Sequence, residues 1–431
     1  MRLLAFVTLA LLGTASAAAA QGADTLRLSD LQAAALRRDP RDIESALLAQ
    51  QSRLRTESIR ADRHPTLTAE GVGQYQSDVT RVPLAVPGVS IPTPPHDTYD
   101  ARVVAQQRLI DPTRAPRIAV EAATLAASRA GLATTLYANR LSVNEAYFNA
   151  LRSQAQIAEL ETSLTDLEAQ RNVAAARVRE GAALPSEEMT FQAELLRRRQ
   201  IEAEWRAAQR VSLSVLADLT ASRIDTGSTL GEPDVAAAVE RARTSLDSVR
   251  GRPEFAQFNA SRALLQTQES AQVAADKPRL SLFGRVGYGR PGLNALSTLF
   301  DSYWLGGVQA QWSPWNWGTS ARDREVIQLQ RRIVDADEAA FSAALRRTVA
   351  QDLASIDRLT AALATDDQII QLRERIFVET RARYREGVIN SAEFIDRQTD
   401  VLSARISRAL HRVELAQYRA HFLTTLGIET P

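Results

Sequence analysis

Residues Thr319–Glu386, TSARDREVIQLQRRIVDADEAAFSAALRRTVAQDLASIDRLTAALATDDQIIQLRERIFVETRARYRE, decide the fold, because they contain neither glycine nor proline. A helix through all of them would be on the order of 100 Å long at about 1.5 Å per residue. Globular helices average about 11–12 residues, so this one cannot be the core of an ordinary domain. Its apolar residues recur at spacings of three and four, as in Val326, Leu329 and Ile333, then Leu345, Val349, Leu353 and Ile356. That is a narrow seam suited to coiled-coil contact. Arginine, aspartate and glutamate fill the other faces, so the stretch reads as a strut in an elongated helical assembly.

A second strut runs over Arg117–Glu180, interrupted only by Gly131. The residues from Gly181 to Ser186 turn the chain, and Glu187 to about Ala221 returns it as a helix. Leu28–Arg63 is expected to be helical as well, with Ser29 or Asp30 as N-cap, an interruption at Pro40 and an end at Pro65.

Between the helices the period changes to two. Leu67, Ala69, Gly71, Gly73 and Tyr75 alternate with polar residues, as do Tyr99, Ala101, Val103 and Ala105. The same alternation recurs in Leu280–Tyr288 and in Trp304–Trp312. These are strands.

The two halves of the chain also repeat each other. Pro40, Pro65, Leu67, Gly71 and Tyr75 recur at one offset as Pro253, Pro278, Leu280, Gly284 and Tyr288. Arg177, Arg179, Glu180 and Gly181 recur as Arg383, Arg385, Glu386 and Gly387. A tandem duplication accounts for this. The first repeat is expected over 21–223, with strands at about 66–76 and 99–110 and long helices at about 117–180 and 187–221. A linker over 224–250 follows. The second repeat takes 251–431, with strands at about 280–289 and 303–313 and long helices at about 319–386 and 391–426.

Residues 1–20 read as a cleaved signal peptide. Arg2 supplies the positive end, Leu3–Leu12 the apolar stretch, and Ala17–Ala20 a small-residue cleavage site before Gln21. The apolar part is short of the roughly 20 residues that span a bilayer. Without a cysteine the chain has no lipobox anchor, no disulfide and no thiolate site. Lys and Arg total 52 against 51 Asp and Glu, which gives no basic balance for a nucleic-acid partner. The 4 His have no metal-ligand spacing, and no glycine-rich loop follows a strand to hold phosphate. No catalytic residue, cofactor or metal is therefore expected.

Strands of about ten residues match the 9–11 that cross a bilayer when tilted. One face is small or apolar and the other polar, as a barrel wall requires. Aromatics gather at strand ends. Tyr99, Tyr303, Trp304, Trp312, Trp315 and Trp317 are expected in the membrane-interface girdle. Four strands cannot close a barrel, for which about eight are needed, so a membrane role would require oligomerisation.

The ordered set of features resembles the TolC-like outer-membrane efflux protein family over nearly all of the mature chain. It comprises the duplicated helix–hairpin–helix plan, the turns Arg177-Val-Arg-Glu-Gly181 and Arg383-Tyr-Arg-Glu-Gly387, the segment Glu393-Phe-Ile-Asp396 with Gln398 and Leu402, and the closing Leu423–Gly427. The resemblance implies a mainly α protein with membrane β structure. Three protomers would give four strands each to a twelve-stranded barrel in the outer membrane, above a long periplasmic coiled-coil tunnel. A periplasmic adaptor and an inner-membrane pump would meet the tunnel's inner end, and substrates would pass chemically unchanged.

The resemblance also implies site residues. Glu393 and Asp396 match acids at the channel aperture, where carboxylates from three subunits would repel one another and attract cations. Glu187 and Tyr384 match a latch between tip helices. The basic residue of that latch falls at Ile389, which cannot form an ion pair, leaving Arg383 or Arg385 to supply the charge. Gly181 and Gly387 mark the tip turns, as left-handed caps and as adaptor-docking positions. As plain helix chemistry, Glu187 and Glu188 are first-turn acids behind an N-cap at Ser186. Two other functions fit the same sequence features: the outer-membrane conduit of a type I protein-secretion system, and a soluble periplasmic coiled-coil adaptor.

Overall fold

The computed structural model describes residues 25–80, 92–225, 227–244 and 251–430. The expected signal peptide at 1–20 lies outside the described residues, as does the middle of the loop between the first two strands. The chain begins with α1 (Leu28–Arg38), α2 (Asp42–Ala61), β1 (Thr66–Tyr75), β2 (Asp97–Ile110), α3 (Arg114–Arg179) and α4 (Pro185–Thr220). A short helix α5 (Ala236–Arg243) follows. The chain then runs through α6 (Pro253–Ala275), β3 (Arg279–Arg290), β4 (Asp301–Gln311), α7 (Thr319–Arg385) and α8 (Ser391–Leu426). The struts α3 and α7 have 66 and 67 residues, and the return helices α4 and α8 have 36 each. A 67-residue helix is about 100 Å long.

Helix ends follow local chemistry. Proline is favoured in the first turn, where a missing N–H costs nothing, and Pro185 and Pro253 open α4 and α6. Ser186 is therefore inside α4, and the residue before the helix is Leu184. The expected caps Ser29 and Asp30 likewise lie within α1, which begins after the extended residue Arg27. At the C-terminal ends, Gly181, Gly387 and Gly427 adopt φ of +71°, +74° and +80°. Each closes its helix with paired bonds, such as Ala182 N–H to Arg177 C=O at 2.8 Å and Gly181 N–H to Val178 C=O at 3.1 Å.

Because the seams are narrow, little of each strut is buried. Only nine of the residues in α7 are inaccessible, among them Leu345, Ile356, Leu359 and Tyr384. Three cores result. The largest joins α1, α3, α4 and α8 around Leu28, Tyr147, Leu216 and Ala420. A second packs α5 on α7 and α8 through Val239, Leu359 and Phe422. The third is at the tip, described below.

Polar links reinforce the first core. The Tyr147 hydroxyl lies against the carbonyls of Leu26 (2.9 Å) and Gly231, and burial raises its pKa. Gln32 donates to Asn144 at 2.5 Å, Asn144 to Thr424 at 3.0 Å, and Thr430 back to Gln32 at 2.6 Å. This buried chain of amides and hydroxyls ties α1 and α3 to the end of α8, and each residue in it has a partner.

Where Pro40 splits α1 from α2, Asp39 accepts from the Arg41 guanidinium at 2.9 and 2.8 Å and from Asn139 of α3. The Arg41 hydrogen bonds hold its carboxyl at about 2, against the opposing effect of burial. A depressed acid stabilises the fold above its unfolded value and loses that contribution as pH falls through the folded one. Acid titration from pH 4 to pH 2 should release this corner in the native protein. Asp39→Asn should already lack the contribution at pH 7 and show a flatter acid limb by circular dichroism.

The four strands form one antiparallel sheet in the order β1–β2–β3–β4. The helices beneath keep the same order, with α2 against α3, α3 against α6 and α6 against α7. The chain is thus a wall of strands and helices with two open sides. On one side β1 stands above α2, whose Ile43, Leu47 and Leu54 are exposed. On the other β4 stands above α7, whose seam residues Val326, Leu329 and Ile333 are exposed.

Candidate channel wall and tip

Register sorts the sheet into two faces. Leu67 pairs with Ala105, Ala69 with Val103, Val103 with Val286, and Val286 with Trp304. This face also carries Tyr75, Tyr99, Tyr288, Leu282 and Val308, all exposed. It bears large apolar side chains that remain exposed in the chain, as the outer face of a membrane barrel would.

The other face is polar and braced. Arg102 Nε donates to Glu70 at 2.7 Å across β1 and β2, and its Nη1 donates to Asp100 at 3.0 Å. The Tyr303 hydroxyl donates to Asp100 at 2.6 Å from β4. To reach it, the ring crosses β3 above Gly287, where a Cβ would come within 2.6 Å of the Tyr303 ring. Side chains of β1, β2 and β4 are therefore linked in one polar belt, and Gly287 of β3 leaves room for the phenol that crosses it.

Tyr303 therefore lies on the polar face of the sheet and not on the face that carries Trp304. It shares its face with Arg102 and Asp100, opposite Trp304. The remaining aromatics fall into two levels. Tyr99 and Trp304 lie near the loop end of the sheet, and Trp312, Trp315 and Trp317 at its junction with α7. Trp312 Nε1 donates to the Asp276 carbonyl at 3.1 Å, and Trp315 and Trp317 meet edge to face at 5.9 Å. Trp304 and Trp312 are about 27 Å apart along an extended chain, or about 20 Å in height at a 40° tilt, near the apolar band of about 25 Å in membrane barrels.

At the far end of the struts the helix pairs α3–α4 and α7–α8 meet through aromatic rings. Phe394 is 4.9 Å from Tyr384, 5.2 Å from Phe377 and 6.0 Å from Phe191, centroid to centroid. Phe191, Tyr384 and Phe394 are buried. The Tyr384 hydroxyl donates to Glu187 Oε1, and Arg177 Nη1 donates to the same oxygen at 3.3 Å. The Arg177 guanidinium also lies 5.8 Å from the Tyr384 ring centroid. Burial first, and the bond to Glu187 second, raise the phenol's pKa.

Glu187 and Tyr384 are thus brought together. The cation beside them is Arg177 of α3, whereas Arg383 and Arg385 are exposed. Ile389 packs on the tip core. Glu393 and Asp396 are exposed on the first turns of α8. Asn390 caps that helix by accepting from the Glu393 N–H at 2.9 Å. Asp396 Oδ2 is 3.7 Å from Arg397.

Sequence reasoning missed one further group. Arg198 of α4 is completely buried and donates to Glu194 at 2.7 Å, to Ser163 of α3 and to Thr399 of α8 at 3.0 Å.

Among the described residues no helix is long and apolar enough to cross a membrane. Residues 247–427 match the family model described as outer membrane efflux protein. No curated protein matches the chain. Solved structures with the same fold include CusC, with a TM-score of 0.69 and 15% identity over 93% of this chain and 92% of that one. VceC of Vibrio cholerae gives 0.65 and 14% over 94% and 97%. The open-state MtrE channel of Neisseria gonorrhoeae gives 0.65 and 18% over 94% and 89%. At such identities the likeness is one of fold: long helical struts below a four-stranded antiparallel sheet, as in TolC-like channels. The family match thus lies in the C-terminal half of the chain, and the fold match to TolC-like channels covers nearly all of it.

Proposed function

We propose that three copies of this chain form the outer-membrane channel of a tripartite efflux system, a passive conduit for small molecules. The observation that carries this reading is the pair of open sides on the protomer. An unpaired strand edge in lipid leaves N–H and C=O groups unsatisfied at several kcal/mol each, so β1 and β4 need partner strands. The bare seams of α2 and α7 lie below those same edges. One rotation about an axis brings β1 against β4 and α2 against α7 together, and three copies give twelve strands, enough to close a barrel. The polar belt then faces the lumen. Residues 1–20 act as the export signal.

In this assembly Glu393 and Asp396 belong to the periplasmic aperture. The turns at Gly181 and Gly387 are the end at which a periplasmic adaptor docks, with the inner-membrane pump beyond it. A soluble adaptor is disfavoured, because the strands form a single open sheet with an uncovered apolar face. The test is light scattering of the full mature protein in detergent, together with conductance in planar bilayers. Three chain masses and a conducting pore are expected. A monodisperse monomer with intact strand signal would overturn the proposal.

A further inference from the structure

The loop joining β3 to β4, residues 291–300, reads PGLNALSTLF and carries no charge. Leu293, Leu296, Leu299 and Phe300 are all exposed, Leu299 at 74%. Phe300 stacks on Tyr288 at 5.6 Å and on Tyr99 at 6.3 Å. Both tyrosines lie on the apolar face of the sheet, so the loop joins that face directly instead of projecting from the lumen.

Several polar groups of the loop are bonded within it or to its base. Asn294 Oδ1 accepts from the Leu296 N–H at 3.1 Å, and its carbonyl accepts from the Ser297 N–H at 2.9 Å. Ser297 Oγ accepts from the Leu299 N–H at 3.3 Å, and Arg290 Nε donates to the Thr298 carbonyl at 3.0 Å. A second bond from Arg290, to Asp97 at 3.2 Å, fixes that side chain beside the wall. Lipid-exposed irregular backbone does not occur within the hydrocarbon core, so these bonds suit the loop backbone to the interface, with only its leucine side chains reaching the acyl chains.

We infer that this loop is a membrane anchor, inserting Leu293, Leu296 and Leu299 among the acyl chains of the outer leaflet around the barrel rim. Its occupant is lipid, because the loop itself carries no charge and packs through Phe300 on Tyr288 and Tyr99 of the apolar face, while the charges beside it, Arg290 and Asp97, neutralise each other at 3.2 Å. Aromatic rings at Tyr99, Tyr288 and Phe300 mark the interface depth at which the loop starts. The inference rests on the reading of the sheet as a membrane wall.

Since the chain has no cysteine, single labelling sites are clean. Full-length mature Leu296→Cys and Val308→Cys variants would be labelled with an environment-sensitive fluorophore. They would then be reconstituted in phosphatidylcholine–phosphatidylethanolamine vesicles and quenched with nitroxide-bearing lipid or aqueous iodide. Both sites are expected to be quenched by the lipid probe and protected several-fold from iodide. Iodide quenching at 296 with lipid quenching at 308 overturns the anchor and leaves the wall intact. Protection of 296 from both probes assigns the loop to a neighbouring copy and also overturns the anchor. Iodide quenching at 308 defeats the membrane wall itself.

Discussion

Replacing Arg198 with alanine should destabilise the lower helical bundle by about 3 kcal/mol, the scale expected when one partner of a buried ion pair is removed. The guanidinium is fully buried and meets three helices: Glu194 on its own helix, Ser163 on α3 and Thr399 on α8. Burial lowers its pKa, and the hydrogen bond to Glu194 opposes that. Alanine would leave a cavity, two hydroxyls without their donor and a carboxylate only 10% exposed. The loss stays near the low end of the range because Arg197 still holds Glu194, with donors at 2.7 and 2.6 Å. Arg198→Met separates charge from volume. It fills the space and should cost well under half as much, as apolar replacements of buried ions often do. Thermal unfolding followed by helix signal checks both, and equal stability of the alanine variant and the parent would refute the assignment.

That arginine shows where the sequence was legible and where it was not. Phe191, Leu195 and Arg198 continue a four–three spacing, so a charge occupying a seam position was visible. What it met was not, because Ser163 and Thr399 come from helices 35 and 201 residues away. The struts were readable because nothing breaks them, and the strands because their alternation differs from helical period. Faces were harder. Tyr303 has the parity of Gly307 and Gln309, yet its closeness in sequence to Trp304 grouped it with the outward aromatics. Parity governs which side of a sheet a residue takes, whatever its neighbours.

The first turn of α4 carries a similar lesson, since Pro185 signals a helix start more firmly than Ser186 signals a cap. At the tip, the motif pair Glu187 and Tyr384 was found by resemblance. The cation Arg177 was not, because only the closed turn at Gly181 folds it back on Glu187. The belt Glu70–Arg102–Asp100–Tyr303 needed the register of three strand pairings, which no single strand reveals.

Tyr384→Phe should loosen the tip without emptying it. The ring remains in its aromatic cluster, 4.9 Å from Phe394, so packing is kept and only the hydroxyl bond to Glu187 is lost. A hydrogen bond to a charged group contributes about 1.5–3 kcal/mol, so the equilibrium for parting α7–α8 from α3–α4 should shift about tenfold or more per protomer. Single-channel recording should show more time in the larger conductance, and Glu187→Ala, which also frees Arg177, should show more still. The same contact gives a pH dependence. Burial and Glu187 raise the phenol's pKa above its ordinary value of 10.0, so the folded tip holds the proton more tightly than the unfolded chain does. Its contribution is complete below about pH 10 and declines as pH rises further. Conductance of the parent should therefore be flat through neutrality and increase at strongly alkaline pH. Tyr384→Phe should lack that alkaline rise. A parent and variant with the same conductance and the same pH profile would show that the hydroxyl does not hold the two hairpins together.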